Sequence, residues 1–352
     1  MIKSNKTLRN LLLVALAFFL ITGCAKQENE PIVDDVTTDV ESMDNDGKEP
    51  KEEVIPDDKG AEVNESEEAP KAPSEVPVEK PSNQDKPVSN ELKEALVTFI
   101  DVGQGDGQLI EANGLVVLID AGTPGNAKKI ISLLDSKGIK KIDYVVGTHP
   151  HNDHIGGLPP VIDKYEIGNV IIPQISDKHI PTTKIYNTFL TSIQNKPSIN
   201  VIRPEYNKTV YMSDDKTTEL TIVSNENAGI STGNLNNYSV SIMFRYGDTK
   251  FLFTGDAEQQ QERDILSSVP LADLKANVFS AGHHGSNTSN TKTFLDAISP
   301  EIVVISAKEG NKYGHPNKEA LDIFNNVGAE TLQTMKLGDI IIGSNGIKVY
   351  KK

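Results

Sequence analysis

Thr148-His149-Pro150-His151-Asn152-Asp153-His154-Ile155-Gly156-Gly157 follows closely on the apolar run Ile142 to Val146. That run reads as a short strand, which places the ten residues on its exit loop. Three imidazoles and one carboxylate within six residues are costly to explain as packing, because buried polar groups need partners. Imidazole with carboxylate suits Zn²⁺, Mn²⁺ or iron better than Ca²⁺ or Mg²⁺. Gly156-Gly157 lets the chain turn sharply and start a helix against the loop. Six of the seven histidines fall in this stretch, at His283-His284 or at His315, and the only cysteine is Cys24. A scatter of core histidines does not give that grouping, and thiolate ligands are excluded from the folded part.

Outward from the loop, Ala95 to Ile100 reads as a strand, and Gly103-Gln104-Gly105-Asp106-Gly107 as a tight loop. Gln108 to Glu111 and Leu115 to Asp120 form a predicted hairpin around Asn113-Gly114. The spacing predicts a helix over Asn126 to Lys137 with Asn126 as N-cap. Strands are expected at Val170 to Ile172, Leu220 to Val223, Ser239 to Tyr246 and Lys250 to Phe253. Then come a helix over Ala257 to Leu266, a strand over Ala276 to Phe279, a helix over Thr293 to Ile298 and a strand over Ile302 to Ile305. A helix over Lys318 to Asn326 and strands near Asp339 to Ile342 and Ile347 to Tyr350 close the chain. Mixed strands and helices, with hairpins at both ends, predict one layered α/β domain over residues 91–352, two sheets packed between helices.

The loop resembles the HxHxDH signature of the metallo-β-lactamase fold hydrolases. Phe99-Ile100-Asp101-Val102-Gly103-Gln104-Gly105-Asp106, Leu252-Phe253-Thr254-Gly255-Asp256, His283-His284-Gly285-Ser286 and Tyr313-Gly314-His315-Pro316 resemble, in order, further motifs of the ComEC/Rec2-type branch. The resemblance covers Ala95 to Tyr350 and implies a four-layer αββα sandwich with two divalent metal ions, Zn²⁺ or Mn²⁺. It implies that His149 and His151 bind the first metal, Asp153 and His154 the second, and that Asp256 bridges both. Of the pair His283-His284, it favours His284 as a further ligand to the second metal and leaves His283 for substrate. Asp256 also stands where it could cap the helix after it. Asp101 and Asp106 are expected behind the ligands, orienting imidazoles or the loop backbone, with turn chemistry an equal reading for Asp106. Tyr313 and His315 are expected near substrate, His315 either donating a hydrogen bond or forming a rigid Gly-His-Pro turn. Many family members place another histidine between the first motif and the bridging aspartate. Here that interval holds only His179, in what reads as an exposed loop. Asn234, Asn236 and Asn237 could offer a neutral oxygen instead, or simply form a turn. The first metal site is then expected to have fewer protein ligands and an open position.

Two metals and no GxSxG elbow point to direct attack by water. Asp153 or Asp256 is the expected proton acceptor, and His283 and His315 the candidate donors to the departing group. The resemblance implies a phosphodiester substrate, with DNA among the candidates. Cell-envelope polymers or phosphorylcholine groups form the alternative, a non-catalytic surface binding module another, and β-lactam hydrolysis a poor third. The sequence does not identify a protein partner.

The remaining residues bear on location. Lys3, Lys6 and Arg9, an apolar run from Leu11 to Ile21, and Ile21-Thr22-Gly23-Cys24 read as a signal peptide over residues 1–24. The junction resembles a bacterial lipobox, which implies lipidation of Cys24 and an extracytoplasmic, membrane-anchored protein. Residues 25–90 hold 20 acidic and 7 basic residues, recurrent prolines and no aromatics. Such a segment cannot bury enough surface to offset its ordering entropy, so a disordered tether is expected. Residues 91–352 are only mildly acidic, which argues against broad electrostatic capture of nucleic acid but leaves room for a locally basic groove.

Overall fold

A computed structural model describes residues 92–224, 229 and 231–352. The predicted signal segment, Cys24 and the predicted tether lie outside the described residues.

Neighbouring apolar residues such as Leu109-Ile110, Val117-Leu118 and Phe251-Leu252-Phe253 point to opposite faces of their strands. Strands apolar on both faces must be covered on both sides. The strands, in chain order, are β1 (Ala95–Phe99), β2 (Gln108–Ala112), β3 (Leu115–Ile119), β4 (Lys141–Val146), β5 (Glu166–Ile171), β6 (Asn200–Ile202), β7 (Lys208–Met212), β8 (Thr218–Ile222), β9 (Ile242–Tyr246), β10 (Thr249–Phe253), β11 (Val278–Ser280), β12 (Ile302–Ile305), β13 (Glu330–Gln333), β14 (Ile340–Ser344) and β15 (Val349–Lys351). They form an eight-stranded sheet, β15-β14-β1-β2-β3-β4-β5-β6, and a seven-stranded sheet, β13-β12-β11-β10-β9-β8-β7. Each sheet carries an antiparallel part that gives way to parallel strands, from β3 to β6 in the first and from β10 to β13 in the second.

Three apolar layers separate the four layers of structure. Phe99, Ile110, Val117, Phe244, Phe251 and Phe253 belong to the layer between the sheets. On the outer face of the first sheet, Leu109, Leu118 and Val145 meet α1 (Ala127–Ser136), α2 (Asn152–Ile155), α3 (Leu158–Lys164) and α4 (Lys184–Gln194). On the outer face of the second, Leu252, Phe279 and Val303 meet α5 (Gln259–Ser268), α6 (Leu271–Leu274), α7 (Lys292–Ile298) and α8 (Lys318–Asn326). The molecule is therefore an αββα sandwich, as expected.

Some local expectations shift. Asn126 precedes α1, but its side chain does not cap it: Oδ1 accepts from the Thr123 amide and hydroxyl at 2.9 and 2.8 Å. The helix expected from Ala257 starts at Gln259 with Glu258 at its N-cap. The Asp256 carboxylate is thus not spent on capping.

Candidate metal centre

The functional side chains leave the carboxyl ends of the strands, where loops can converge above two packed sheets. β4 ends in the histidine loop, β10 in Thr254-Gly255-Asp256, β11 in His283-His284, and β12 leads to the loop carrying His315. Close backbone packing fixes the histidine loop. Asp106 N donates to Asp153 O at 3.2 Å, and Ala121 N to His154 O at 2.8 Å. A Cβ on Gly105 would stand 2.2 Å from Asp153 O, and Gly105 has φ +136°, so only glycine fits there.

Two donor clusters share one carboxylate. His149 Nε2 lies 3.0 Å from His151 Nδ1 and 3.5 Å from Asp256 Oδ2. His154 Nε2 lies 3.3 Å from His284 Nε2 and 3.1 Å from Asp256 Oδ1. His284 Nε2 is 3.5 Å from both Asp153 Oδ2 and Asp256 Oδ1. The two oxygens of Asp256 thus face different clusters. His149, His154, Asp256 and His284 are buried, while Asp153 and His151 are half-buried on the open side.

The outer contacts set which nitrogen faces the site. His154 Nδ1 is 2.8 Å from Asp120 Oδ2, and His284 Nδ1 donates to Ser306 O at 3.0 Å. With both Nδ1 protons committed, neutral rings would present two Nε2 lone pairs to each other. A proton or a cation must lie between them. Burial opposes charge on both rings, yet the carboxylates win: Asp256 and Asp120 hold His154 well above the usual histidine range, and Asp256 and Asp153 raise His284 to about 9. Burial likewise opposes charge on Asp256, but His154, His284 and His149 hold it well below the carboxylate range. Burial and the neighbouring His154 push His149 well down. The residues fit a divalent cation. Donor atoms of Asp153, His154 and His284, and of His149, His154 and Asp256, lie within 4.8 Å of one another. Asp256 Oδ1 is buried, with only the Nε2 atoms of His154 and His284, at 3.1 and 3.5 Å, turned toward it.

The other expected residues divide. Asp106 is buried behind His284, its Oδ1 3.8 Å from Nδ1, and burial raises its carboxyl to about 6. Asp101 does not reach an imidazole: its Oδ1 accepts from Gly103 N at 3.1 Å and its carbonyl from Lys129 at 2.6 Å. The carboxylate behind His154 is instead Asp120, which also accepts from Thr148 N at 2.9 Å and its hydroxyl at 2.6 Å. Sequence reading left Asp120 as the end of a strand. Its only signal was a polar residue terminating the apolar run of β3. Asn237 Oδ1 accepts from Glu258 N at 3.1 Å and so steadies the Asp256 loop instead of donating to a metal. Asn234 Oδ1 caps the turn. Of the three asparagines, only Asn236 keeps a buried Oδ1 without a partner, and it lines the pocket over the clusters. His179 bonds Tyr238 and Ser176 at 2.7 and 3.0 Å and is half-buried, not exposed.

His283 and His284 both adopt left-handed φ, 50° and 56°, a costly conformation that turns adjacent rings to different tasks. His284 enters the inner cluster. His283 stays partly exposed, Nε2 3.6 Å from Asp256 Oδ2 and Nδ1 3.1 Å from the Thr288 hydroxyl. Asn290 holds this turn: its Oδ1 accepts from Gly282 N at 2.9 Å, and its Nδ2 donates to Gly282 O and Ser286 O at 2.8 and 2.9 Å. Sequence reading did not single it out. His283, His315 and Tyr313 line the mouth of a cavity of about 330 Å³. The Tyr313 and His315 rings stack 5.6 Å apart. Burial and the neighbouring His283 and His284 push His315 down to about 4.

Residues 100–307 match the family model described as the Metallo-beta-lactamase superfamily. The chain is 26% identical over 265 residues to ComE operon protein 3 of Bacillus subtilis, covering 70% of this chain and 33% of that protein. It is 27% identical over 266 residues to Competence protein ComA of Neisseria gonorrhoeae, covering 73% and 34%. It is also 27% identical over 231 residues to Recombination protein 2 of Haemophilus influenzae, covering 64% and 26%. The chain thus spans about a third or less of the length of these relatives.

Proposed function

This chain belongs to the metallo-beta-lactamase superfamily, and from that premise we propose that it hydrolyses phosphodiester bonds of nucleic acid with two divalent ions, Zn²⁺ or Mn²⁺, outside the cytoplasmic membrane. The observation that carries the reading is Asp256, whose two carboxylate oxygens face two separate donor clusters. The choice of nucleic acid is supported by relatives named for competence and recombination. Placement outside the membrane rests on the segment ending at Cys24. Loss of labelled palmitate incorporation in Cys24→Ala would support it, and unchanged incorporation would overturn it.

Two ions held by these clusters would acidify a water near neutral pH and take up charge on a substrate oxygen. The chain's own residues do the rest. Asp120, Ser306 and Thr148 fix the rings of His154, His284 and His149 so that each turns Nε2 inward. His151, 3.0 Å from His149, uses Nδ1. Asp153 is held below the carboxylate range despite burial, by His284 and His154. Asp153 and Asp256 therefore stay ionised, and supply negative charge more readily than they take up a proton. His315, pushed down to about 4, presents a neutral imidazole at the mouth, suited to hydrogen-bond a phosphate or leaving-group oxygen. His283, more exposed and beside Asp256, is the better-placed proton donor.

The test is hydrolysis of bis-p-nitrophenyl phosphate by the full chain with Mn²⁺ or Zn²⁺, beside Asp256→Ala, with bound metal measured. Activity in the parent alone is expected. A metal-loaded parent without turnover would overturn the enzymatic reading, and a parent that binds no metal would overturn the whole.

A further inference from the structure

A second cavity, of about 410 Å³, adjoins the one over the metal centre. The two share Gln104, Asn152, Asp153 and Tyr313 as a common wall. Its far side is formed by the loop after β12, which contributes Lys308 and Lys312. Both lysines are exposed, and among the described residues neither forms an ion pair, whereas Lys129, Lys164 and Lys292 each meet a carboxylate. Asp153, on the shared wall, is the only acidic residue lining this cavity. A mildly acidic domain thus keeps two cations without a carboxylate partner beside its candidate hydrolytic site, Lys312 lying with Nζ 5.0 Å from the Tyr313 ring centroid.

We propose that this second cavity is the seat for the next phosphate of a single-stranded nucleic acid whose scissile phosphate lies over the metal centre. Resting on the phosphodiesterase reading, it narrows the substrate to strands with phosphates in succession. A single phosphate ester would leave the lysine seat empty. Tyr313 marks the strand as one that carries bases. It lines both cavities and is 54% exposed; the His315 ring stacks 5.6 Å away and Lys312 Nζ lies 5.0 Å from its centroid, so a base packs on this ring as Lys312 moves off it onto the phosphate. A basic seat beside an aromatic surface is the combination by which proteins hold single strands without reading their sequence.

The test is binding of the full, metal-loaded chain to a fluorescent, phosphorothioate-linked oligodeoxynucleotide that resists cleavage, read by anisotropy across a salt series. Lys308→Ala/Lys312→Ala is expected to weaken binding at least tenfold, and to flatten the slope of log Kd on log salt by about 0.7, the single-strand value for one phosphate contact. Tyr313→Ala is expected to weaken it by about tenfold. An abasic oligonucleotide should bind the parent about as weakly as the base-bearing one binds Tyr313→Ala. Unchanged affinity and slope in the double lysine variant, with an unaltered circular dichroism spectrum, would overturn the seat. Equal binding of abasic strand or poly(glycerol phosphate) would overturn its assignment to nucleic acid. Hydrolysis of bis-p-nitrophenyl phosphate, measured separately, keeps the two readings apart. Turnover without lysine-dependent binding sinks the seat alone, and lysine-dependent binding without turnover sinks the phosphodiesterase reading alone.

Discussion

The two sheets equip the metal centre in different ways. The first sends four donors, His149, His151, Asp153 and His154, through one loop after β4. The second sends two donors, Asp256 and His284, and the substrate-side His315 from three successive strands, one loop each. A loop with four donors needs only its own turn and a backbone clamp, here from Asp106, Ala121 and Gly105. Groups from three strands fall into place only when β10, β11 and β12 lie side by side in the right register. The first half is therefore organised locally and the second by tertiary structure. Each half supports its inner ring with a different group: a carboxylate, Asp120, behind His154, and a neutral carbonyl, Ser306 O, behind His284.

The sharpest way to break this contrast is Asp256→Ala, which removes the carboxylate whose two oxygens face the two clusters. Hydrolysis is expected to fall on the order of a thousandfold, several kcal/mol of transition-state stabilisation, with loss of bound metal from both clusters by elemental analysis. Loss of a single equivalent would show that the clusters are independent. Asp120→Asn tests the first half alone. Its metal affinity should fall by roughly 10- to 100-fold, because His154 loses the carboxylate that fixes its ring, as read by chelator competition.

A pH series compares the halves through their protons. His284 is raised to about 9 and His154 well above its usual range, so a metal must displace protons from both below those values. Apparent affinity should rise with pH between 7 and 9, about tenfold per unit for each proton displaced, and a flat profile would contradict the proton-filled arrangement. The smallest effect is expected from Asn290→Ala, which strips the strap from the second half's histidine turn. Leaving buried backbone groups unpaired should lower stability by about 1–3 kcal/mol in urea titrations, with first-cluster metal retained.

The same division explains what could be read from the sequence. The histidine loop declared itself because its donors are sequence neighbours, and Asp256 because Thr254-Gly255-Asp256 after an apolar run resembles a family motif. Asp120 was hidden: it lies 34 residues from the ring it orients, and nothing local distinguishes it from any polar residue after a strand. Asp101 takes the second of the two roles expected of it, holding the backbone of the glycine-rich loop through Gly103 N. Among the elements, strands with apolar residues on both faces were plain. The strands β6, β7 and β13 were not, being short and near or at sheet edges, where polar residues such as Lys208, Thr209 and Glu330 are tolerated. Helix α4 was missed although Tyr186, Phe189, Leu190 and Ile193 keep helical spacing. Its Thr, Asn and Ile residues are weak helix formers, and packing on the first sheet decides the matter.

The apolar layer between the sheets has a consequence for how this protein would register its surroundings. Phe99, Phe251 and Phe253 are buried between the sheets and none is a candidate metal donor, so metal loading would add its own contribution to that of this apolar layer. By mass action that addition grows with the logarithm of free metal. The melting temperature of the folded domain would then serve as a gauge of available metal, read continuously.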